Sequence, residues 1–378
     1  MKKKIGIIGS GIAGLTVANL LKTNSDFEVM VYEKEETLSL EEGYGIQLAP
    51  NSISILNKIG FSNISNNNFF NPSKLNFYSA NNDKICDLNL ARFNRDKVKY
   101  TTLKRSTLIE FLKDSLFTSN IQFGKEVKKV SKIKNKLLIN FTDNTNALVD
   151  FIVISDGVFS KTKSVIENKN IKPRYSGSVA IRTIIKSSEE TNYENENISL
   201  IMLRNAHIVI YPINKKNELN LVCIVRQKSL KNNDVNLIIK KEILSQNKNL
   251  ENLFKGHLES WPIYVTKKPS KSIYENLFYL GDAFHAFSPT MAQGAGQSIE
   301  GAKELFDLLS QDTKDIQNIY FKKRLERIKL VDRRSKLNYF YFHLSNSLMV
   351  QIRNMMLKKI TKSEKFLNKY LGSIYQII

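Results

Sequence analysis

Cysteine is nearly absent: Cys86 and Cys223 are the only two in 378 residues. Two thiols cannot supply a disulfide framework, and their spacing fits no zinc motif, so no metal site is expected. Cys223 lies in the apolar run Leu221-Val-Cys-Ile-Val225 and reads as a core residue. Long apolar runs are missing as well. No stretch approaches the ~18 uninterrupted apolar residues of a membrane span, and the chain opens on a strand feeding a glycine turn, which is not the pattern of a signal peptide. A cytoplasmic address is therefore expected. Acidic residues are outnumbered, 36 against 57 basic, for a net charge of +21. Such a surplus attracts anionic partners. The lysines are scattered, however, with no nucleic-acid motif and no basic stripe carrying interleaved aromatics, so no nucleic-acid partner is expected. A lysine-, asparagine- and isoleucine-rich composition accounts for the surplus without any partner.

With 42% apolar and 25% charged residues the chain is globular, long enough for one large or two ordinary domains. Glycine is sparse, sixteen residues in all, yet it gathers in two stretches at opposite ends of the chain. In the first, Lys4-Ile-Gly-Ile-Ile-Gly9-Ser10-Gly11-Ile12-Ala13-Gly14, an apolar strand runs into the glycines and a helical pattern follows, with Ala13, Val17, Leu20 and Leu21 on one face. Gly9 permits the tight turn, Gly11 lets backbone approach a pyrophosphate, and Gly14 lets helix and strand pack closely. Phosphates then face the open N–H groups of a helix N-terminus. A second strand, Glu28–Tyr32, ends at Glu33 with Lys34 beside it, nineteen residues after Gly14. A carboxylate there accepts hydrogen bonds from an adenosine ribose and repels a 2′-phosphate. In the second stretch, Gly281-Asp282-Ala-Phe-His285 ends a strand, and Gln293-Gly294-Ala295-Gly296 opens a helix. Asp282 can accept from ribitol hydroxyls, and the helix start can aim N–H groups at a flavin edge. The two stretches together point to one bound FAD.

Between them, Gly45-Ile46-Gln47-Leu-Ala-Pro50-Asn51 reads as a loop before a short helix, and residues 65–95 read as turns with a few short strands. Strands are expected at Ile121–Val130, Lys136–Phe141 and Ala147–Ile154, the last running into Asp156-Gly157. Further strands at 177–185, 198–203, 207–213 and 219–226 indicate a mostly antiparallel sheet, interrupted by a polar loop at 187–197. Residues 235–257 and everything beyond about 295 look helical. The expected organisation is α/β. A FAD-binding Rossmann-like domain (residues 1–170 and 271–310) is interrupted by a mostly antiparallel substrate sheet (171–270), with C-terminal helices over 311–378.

These motifs resemble those of the FAD-dependent aromatic hydroxylases, the para-hydroxybenzoate hydroxylase fold, and within it the salicylate hydroxylase and 3-hydroxybenzoate 6-hydroxylase branch. The resemblance covers almost the whole chain. Gly9–Gly14 with Glu33 matches the adenosine site, and Gly45 to Asn51 matches a loop near the flavin. Arg105 matches an arginine that opens a helix and contacts FAD. Asp156-Gly157 with Ser160 matches a motif serving both FAD and the nicotinamide cofactor. Gly281-Asp282, Pro289 and Gly294-Ala295-Gly296 match the ribitol and isoalloxazine motif. Tyr320, Arg324, Arg327 and Ser335 resemble the branch's C-terminal helices. Departures are Ile154 and Ser155 before Asp156, Lys163 for an Arg, Lys104, Gly301, and Phe284, which is expected to reshape the flavin pocket. His285 is expected to be a satisfied structural histidine.

The resemblance implies a single-component monooxygenase. NADH or NADPH reduces the flavin, O2 adds at flavin C4a, and the resulting hydroperoxide hydroxylates a small aromatic, phenolic or aromatic-acid, substrate. His207 and Tyr211 stand four residues apart on a strand, so both point to one face, and the same spacing occurs in the hydroxybenzoate branch. They read either as general acid–base groups acting on a phenol or as sheet packing. Arg182 reads as a partner for a substrate carboxylate or flavin edge, or as a solvated sheet residue. The alternatives are a related flavin oxidoreductase (an epoxidase, a tetracycline-type monooxygenase or a lipid reductase) and a flavin-binding scaffold of low turnover. A monomer or homodimer is expected. Tyr339–Ile360 mixes aromatics and Leu/Met with Arg353, Lys358 and Lys359. It reads as a helix packed over the sheet or as one lying peripherally on an anionic membrane surface.

Overall fold

The computed structural model describes residues 1–38, 44–116, 120–186, 193–229, 234–311 and 313–376. Its first layer is a five-stranded parallel sheet. The β-branched runs Lys3–Ile8 and Phe27–Tyr32 pair side by side, flanked by Ile121–Gln122 on one edge and by Phe151–Ile154 and Leu277–Tyr279 on the other. Parallel strands need crossover connections. The helices Ile12–Lys22, Arg105–Asp114 and Gly294–Ser310 bury Leu15, Val17, Leu108, Leu112, Ile299 and Leu305 in one core with Ile5, Ile7 and Val153.

The second layer is a seven-stranded sheet in the order Glu259–Val265, Arg174–Lys186, Glu218–Arg226, Ala206–Pro212, Ile198–Leu203, Lys74–Tyr78, Lys84–Asn89. All its pairings are antiparallel except that of Ile198–Leu203 with Lys74–Tyr78. The sheet thus draws two strands from the polar stretch before residue 100. Strand alternation decides which side chain goes where. Ala206, Ile208 and Ile210 pack under the helical turns Val235–Phe254, and His207, Val209 and Tyr211 face the other way, toward the C-terminal helices. Fully burying an isoleucine such as Ile208 contributes about 1.5–3 kcal/mol.

Several local expectations change. The stretch Ala147–Ile154 is two strands in two sheets, Asn146–Val149 and Phe151–Ile154. The chain turns at Asp150, whose N–H donates to the Lys4 carbonyl and whose carboxylate accepts from the Lys4 N–H, both at 2.8 Å. Ile121–Val130 likewise divides into Ile121–Gln122 and Val127–Ile133. Gly45–Leu48 is a strand paired with Thr101–Lys104, where a loop was expected. Tyr339–Ile360 is not one helix. Ile316–Phe342 ends, and Ser347–Ile360 restarts under an Asn346 cap that accepts from the Met349 N–H at 3.1 Å. Residues 187–192 of the polar loop lie outside the described residues. No described helix is long and apolar enough to cross a membrane.

Candidate active site between the two sheets

The first glycine turn is shaped by contacts that admit no side chain. Gly9 has φ +98°, and a Cβ there would come within 2.8 Å of the Ser155 carbonyl oxygen. A Cβ on Gly14 would lie 2.0 Å from the Gly9 carbonyl oxygen, so the helix can start directly against the strand. Gly11 is different: nothing lies within 4 Å of its Cβ position, and Gly157 and Gly294 share that openness. These three backbones form a cradle. Two helix N-termini open onto it, Ile12–Lys22 and Gly294–Ser310, neither capped by a side chain. Gly281 brings them together, since a Cβ on it would sit 2.8 Å from the Ala13 Cβ and 3.0 Å from the Ser298 hydroxyl. Open N–H groups at these two neighbouring helix starts favour an anion there.

Acidic groups border the cradle. Glu33 Oε2 accepts from the Ser10 N–H at 2.8 Å and the Ser10 hydroxyl at 2.7 Å, so this carboxylate also holds the glycine turn in place. Lys34 is turned outward to Glu35 at 2.9 Å. Asp156 Oδ2 accepts from the Thr162 N–H at 3.3 Å, while Oδ1 is buried without a partner among the described residues, and burial raises its pKa. Asp282 is accessible within a narrow groove but ringed by protein, and that desolvation pushes its carboxyl up to about 6. Lys163 is buried, donates to the Ala283 carbonyl at 3.2 Å and lies 4.6 Å from the Tyr279 ring.

The second sheet supplies the opposite wall. The Gly45 N–H donates to Asn220 Oδ1 at 2.7 Å, and a Cβ there would collide with the Asn220 side chain, so this strand presses edge-on against the sheet. The Arg105 N–H donates to the Tyr44 carbonyl at 2.9 Å, placing the helix Arg105–Asp114 at the same junction. A cavity of about 480 Å³ lies between the walls. Gly45, Ile46, Gln47, Pro289, Gly294 and Ala295 line it together with Arg182, His207 and Tyr211. The structure therefore joins all three proposed substrate residues to six of the proposed cofactor residues.

His207 and Tyr211 are buried, and Arg182 is half-buried with its Nε shut off from solvent. Arg182 lies 5.6 Å from the Trp261 ring and 6.0 Å from the Tyr44 ring, with Nε unpartnered among the described residues. Burial lowers its pKa, and nearby Arg105 lowers it further, so a cation already crowded by another faces the cavity. It is not a solvated sheet residue. Burial pushes the Tyr211 hydroxyl up against the opposing effects of Arg182 and a hydrogen bond to Gln47. Tyr100 donates to Gln47 Oε1 at 2.8 Å. His207 Nδ1 meets His343 Nε2 at 2.7 Å, and desolvation lowers His207 to about 3 and His343 to about 2. Both imidazoles are neutral at ordinary pH.

Tyr100, which lines the cavity, and His343, which backs His207, escaped the sequence reading. Arg353 was singled out only as part of the aromatic and basic C-terminal stretch, where no spacing marks it as a cavity residue. One expectation needs correction. His285 is not satisfied: both ring nitrogens are buried without a partner among the described residues. Phe284 packs into the core beside Tyr320 and Phe321, against the long C-terminal helix, and also borders a small space with Gly281, Asp282 and Gly294. Glu300 is the hub for the branch-specific arginines. It accepts from Arg324 at 3.1 Å, Arg327 at 2.6 Å and Asn51 at 3.1 Å. Arg327 in turn donates to the Ser373 and Ile374 carbonyls.

The family profile described as FAD binding domain matches residues 2–331. The chain belongs to that family. It is a flavoprotein monooxygenase, as the resemblance implied. It is 24% identical over 368 residues to 3-amino-4-hydroxybenzoate 2-monooxygenase PtnB3 of Streptomyces platensis, covering 93% of this chain and 92% of that one. It is 23% identical over 353 residues to salicylate hydroxylase of Pseudomonas putida, covering 84% and 79%. Among solved structures, Klebsiella pneumoniae HpxO complexed with FAD and uric acid superposes with a TM-score of 0.86 at 18% identity, covering 98% of this chain and 96% of that one. The likeness of structure establishes a shared fold.

The residues present fit FAD. Gly11, Gly157 and Gly294 leave their backbones open to close approach, and two uncapped helix starts suit a pyrophosphate and a flavin edge. Glu33 adjoins the glycine turn through Ser10, and the unpaired Asp156 Oδ1 and the Asp282 carboxyl are polar groups that a ligand's hydroxyls could meet.

Proposed function

We propose that this flavoprotein hydroxylates a phenolic or aromatic-acid substrate, using NADH or NADPH and O2. One observation carries the reading: one cavity is lined both by residues of the FAD-binding loops and by His207, Tyr211 and Arg182. Bound FAD supplies hydride acceptance and oxygen activation. The protein supplies position and environment. Gly9 to Gly14 with Glu33 would hold the adenosine half, Asp282 the ribitol, and Gly294 to Gly296 the flavin edge. Gly45, Ile46 and Gln47 close the other side. Apolar walls exclude water, which strengthens every polar contact inside. His207 and Tyr211 present neutral hydrogen-bonding groups to a phenolic oxygen and can share its proton. Arg182 offers an uncompensated cation to a substrate carboxylate or to negative charge on the flavin edge.

The test is a substrate screen with purified FAD-loaded protein. Oxygen-dependent NAD(P)H oxidation should rise with a phenol and yield a product carrying one new hydroxyl. NAD(P)H oxidation indifferent to every aromatic offered, with no hydroxylated product, would overturn the reading in favour of a reductase.

A further inference from the structure

The cavity of about 480 Å³ has two parts: Gly45, Gln47, Pro289, Gly294 and Ala295 line the end given to the flavin, and the remainder is open to substrate. That remainder extends from the Gln47–Tyr211 end to the C-terminal helices, where Leu88, Leu90, Met356, Leu357, Ile360 and Phe366 form the wall. Polar groups at that end are already engaged. Arg353 donates to the Asn354 side chain and the Tyr341 carbonyl, Thr361 to the Leu357 carbonyl, and Tyr370 to Asn338. Such a wall accepts a long apolar group and offers little to a polar one.

One helix separates this end of the cavity from the outside. Ser347–Ile360 lines it with Arg353, Leu357 and Ile360, and exposes Leu348, Met349, Ile352, Met355 and Met356. At about 100° per residue these five share roughly 120° of the helix circumference. Leu348 is 63% and Met355 64% exposed, unusual for large apolar side chains clustered together. Met356 and Leu337 are each nearly half exposed and also wall the cavity, so cavity and surface patch are continuous. The stripe runs into Lys358, Lys359, Lys362, Lys365 and Lys369, all exposed. The segment's one carboxylate, Glu364, is turned to Arg92 at 3.6 Å.

We propose that this helix face docks on an anionic membrane surface, and that the cavity behind it takes a phenol bearing a long apolar substituent drawn from that surface. The phenol rests on the hydroxylase reading above; the docking does not. An in-plane helix buries its apolar stripe at the headgroup–acyl boundary while lysines meet anionic headgroups. Docking through Leu337 and Met356 lets a sparingly soluble substrate enter without crossing water. A second copy seated on the same face would bring the two lysine clusters together, which like charge disfavours.

The test uses the full-length FAD-loaded protein. It should co-sediment with phosphatidylcholine vesicles containing about one-third phosphatidylglycerol at physiological salt, and only weakly with phosphatidylcholine alone. A Leu348→Gln/Ile352→Gln/Met355→Gln variant, altered only at exposed positions outside the cavity, should lose at least tenfold in vesicle binding with flavin content and spectrum unchanged. A long-chain 4-alkylphenol should perturb the flavin spectrum at concentrations at least tenfold lower than phenol does. Absence of anionic-vesicle binding, or equal binding by the variant, overturns the docking. So does a wild-type dimer that the variant converts to monomer. Equal sensitivity to phenol and alkylphenol overturns the substrate class. Vesicle binding in a protein that hydroxylates no aromatic leaves the docking standing and removes the hydroxylase reading, so the two failures are separable.

Discussion

His207 Nδ1 and His343 Nε2 lie 2.7 Å apart across 136 residues of chain, sharing one proton between two buried neutral rings. If His207 donates, His343 must carry its own proton on Nδ1, which is buried with no partner among the described residues. If His343 donates, that nitrogen is a bare acceptor, the less costly orphan. The second arrangement leaves His207 with a proton on Nε2, a donor available to an oxygen in the cavity.

Removing the cavity-facing groups should spare the flavin. His207→Ala and Tyr211→Phe are expected to keep FAD affinity and spectrum while slowing hydroxylation roughly 10²–10⁴-fold. The measurement is the ratio of NAD(P)H consumed to product hydroxylated, which should rise as reduction uncouples from hydroxylation. Wild-type rate and coupling in both variants would reduce the pair to sheet packing.

His343→Phe keeps the ring's bulk and removes the shared proton. His207 should then lose its fixed tautomer, and the pH profile of hydroxylation should change shape at unchanged FAD content. A purely structural role predicts a lower Tm with the profile intact.

Glu33→Ala removes the acceptor at the ribose position and also frees Ser10. Hydrogen bonds to a charged acceptor are worth about 1.5–3 kcal/mol each, so FAD Kd should rise roughly 10–150-fold. Flavin fluorescence titration of the apoprotein reads this directly. An unchanged Kd would remove Glu33 from the site.

Glu300 binds the C-terminal helices to the FAD-binding core. Burial alone would raise its pKa, but Arg327 and Arg324 together hold it below the ordinary carboxylate range. Glu300→Gln leaves the half-buried Arg327 without its carboxylate and the buried Arg324 with only Glu304 at 3.4 Å, and should cost up to about 3–5 kcal/mol in chemical denaturation. A depressed carboxylate contributes its stability above its unfolded pKa, so in the wild type this contribution should fade as pH drops below the ordinary Glu value of 4.5.

Asp282 carries the opposite sign. Its folded pKa of about 6 exceeds the ordinary 3.8, so the native apoprotein binds the extra proton and loses stability as pH rises across that window. Asp282→Asn should remove that loss, seen as a flatter dependence of apoprotein Tm on pH between those values. An unaltered slope would show that Asp282 titrates normally.

What the sequence alone determined is short in range. The glycine turn at Gly9–Gly14, the acidic residue at the end of the next strand and the Gly294 helix start are matters of φ angles, spacing and N–H groups within a few dozen residues. Alternation along 207–211 settled that His207 and Tyr211 share a face, because a strand's period is two. Tertiary packing decided the rest. Asp150 splits an apolar run into two strands only because Lys4 lies beside it. The strands Lys74–Tyr78 and Lys84–Asn89 join the large sheet across more than 100 residues, and their own stretch, rich in Asn, Asp and Ser, gives no sign of it. Tyr100 and the helix Ser347–Ile360 become walls of one cavity, with His343 behind His207, through side chains that meet across the fold. Contacts at such separation are selected by shape and burial over the whole core, and no local pattern in the chain encodes them.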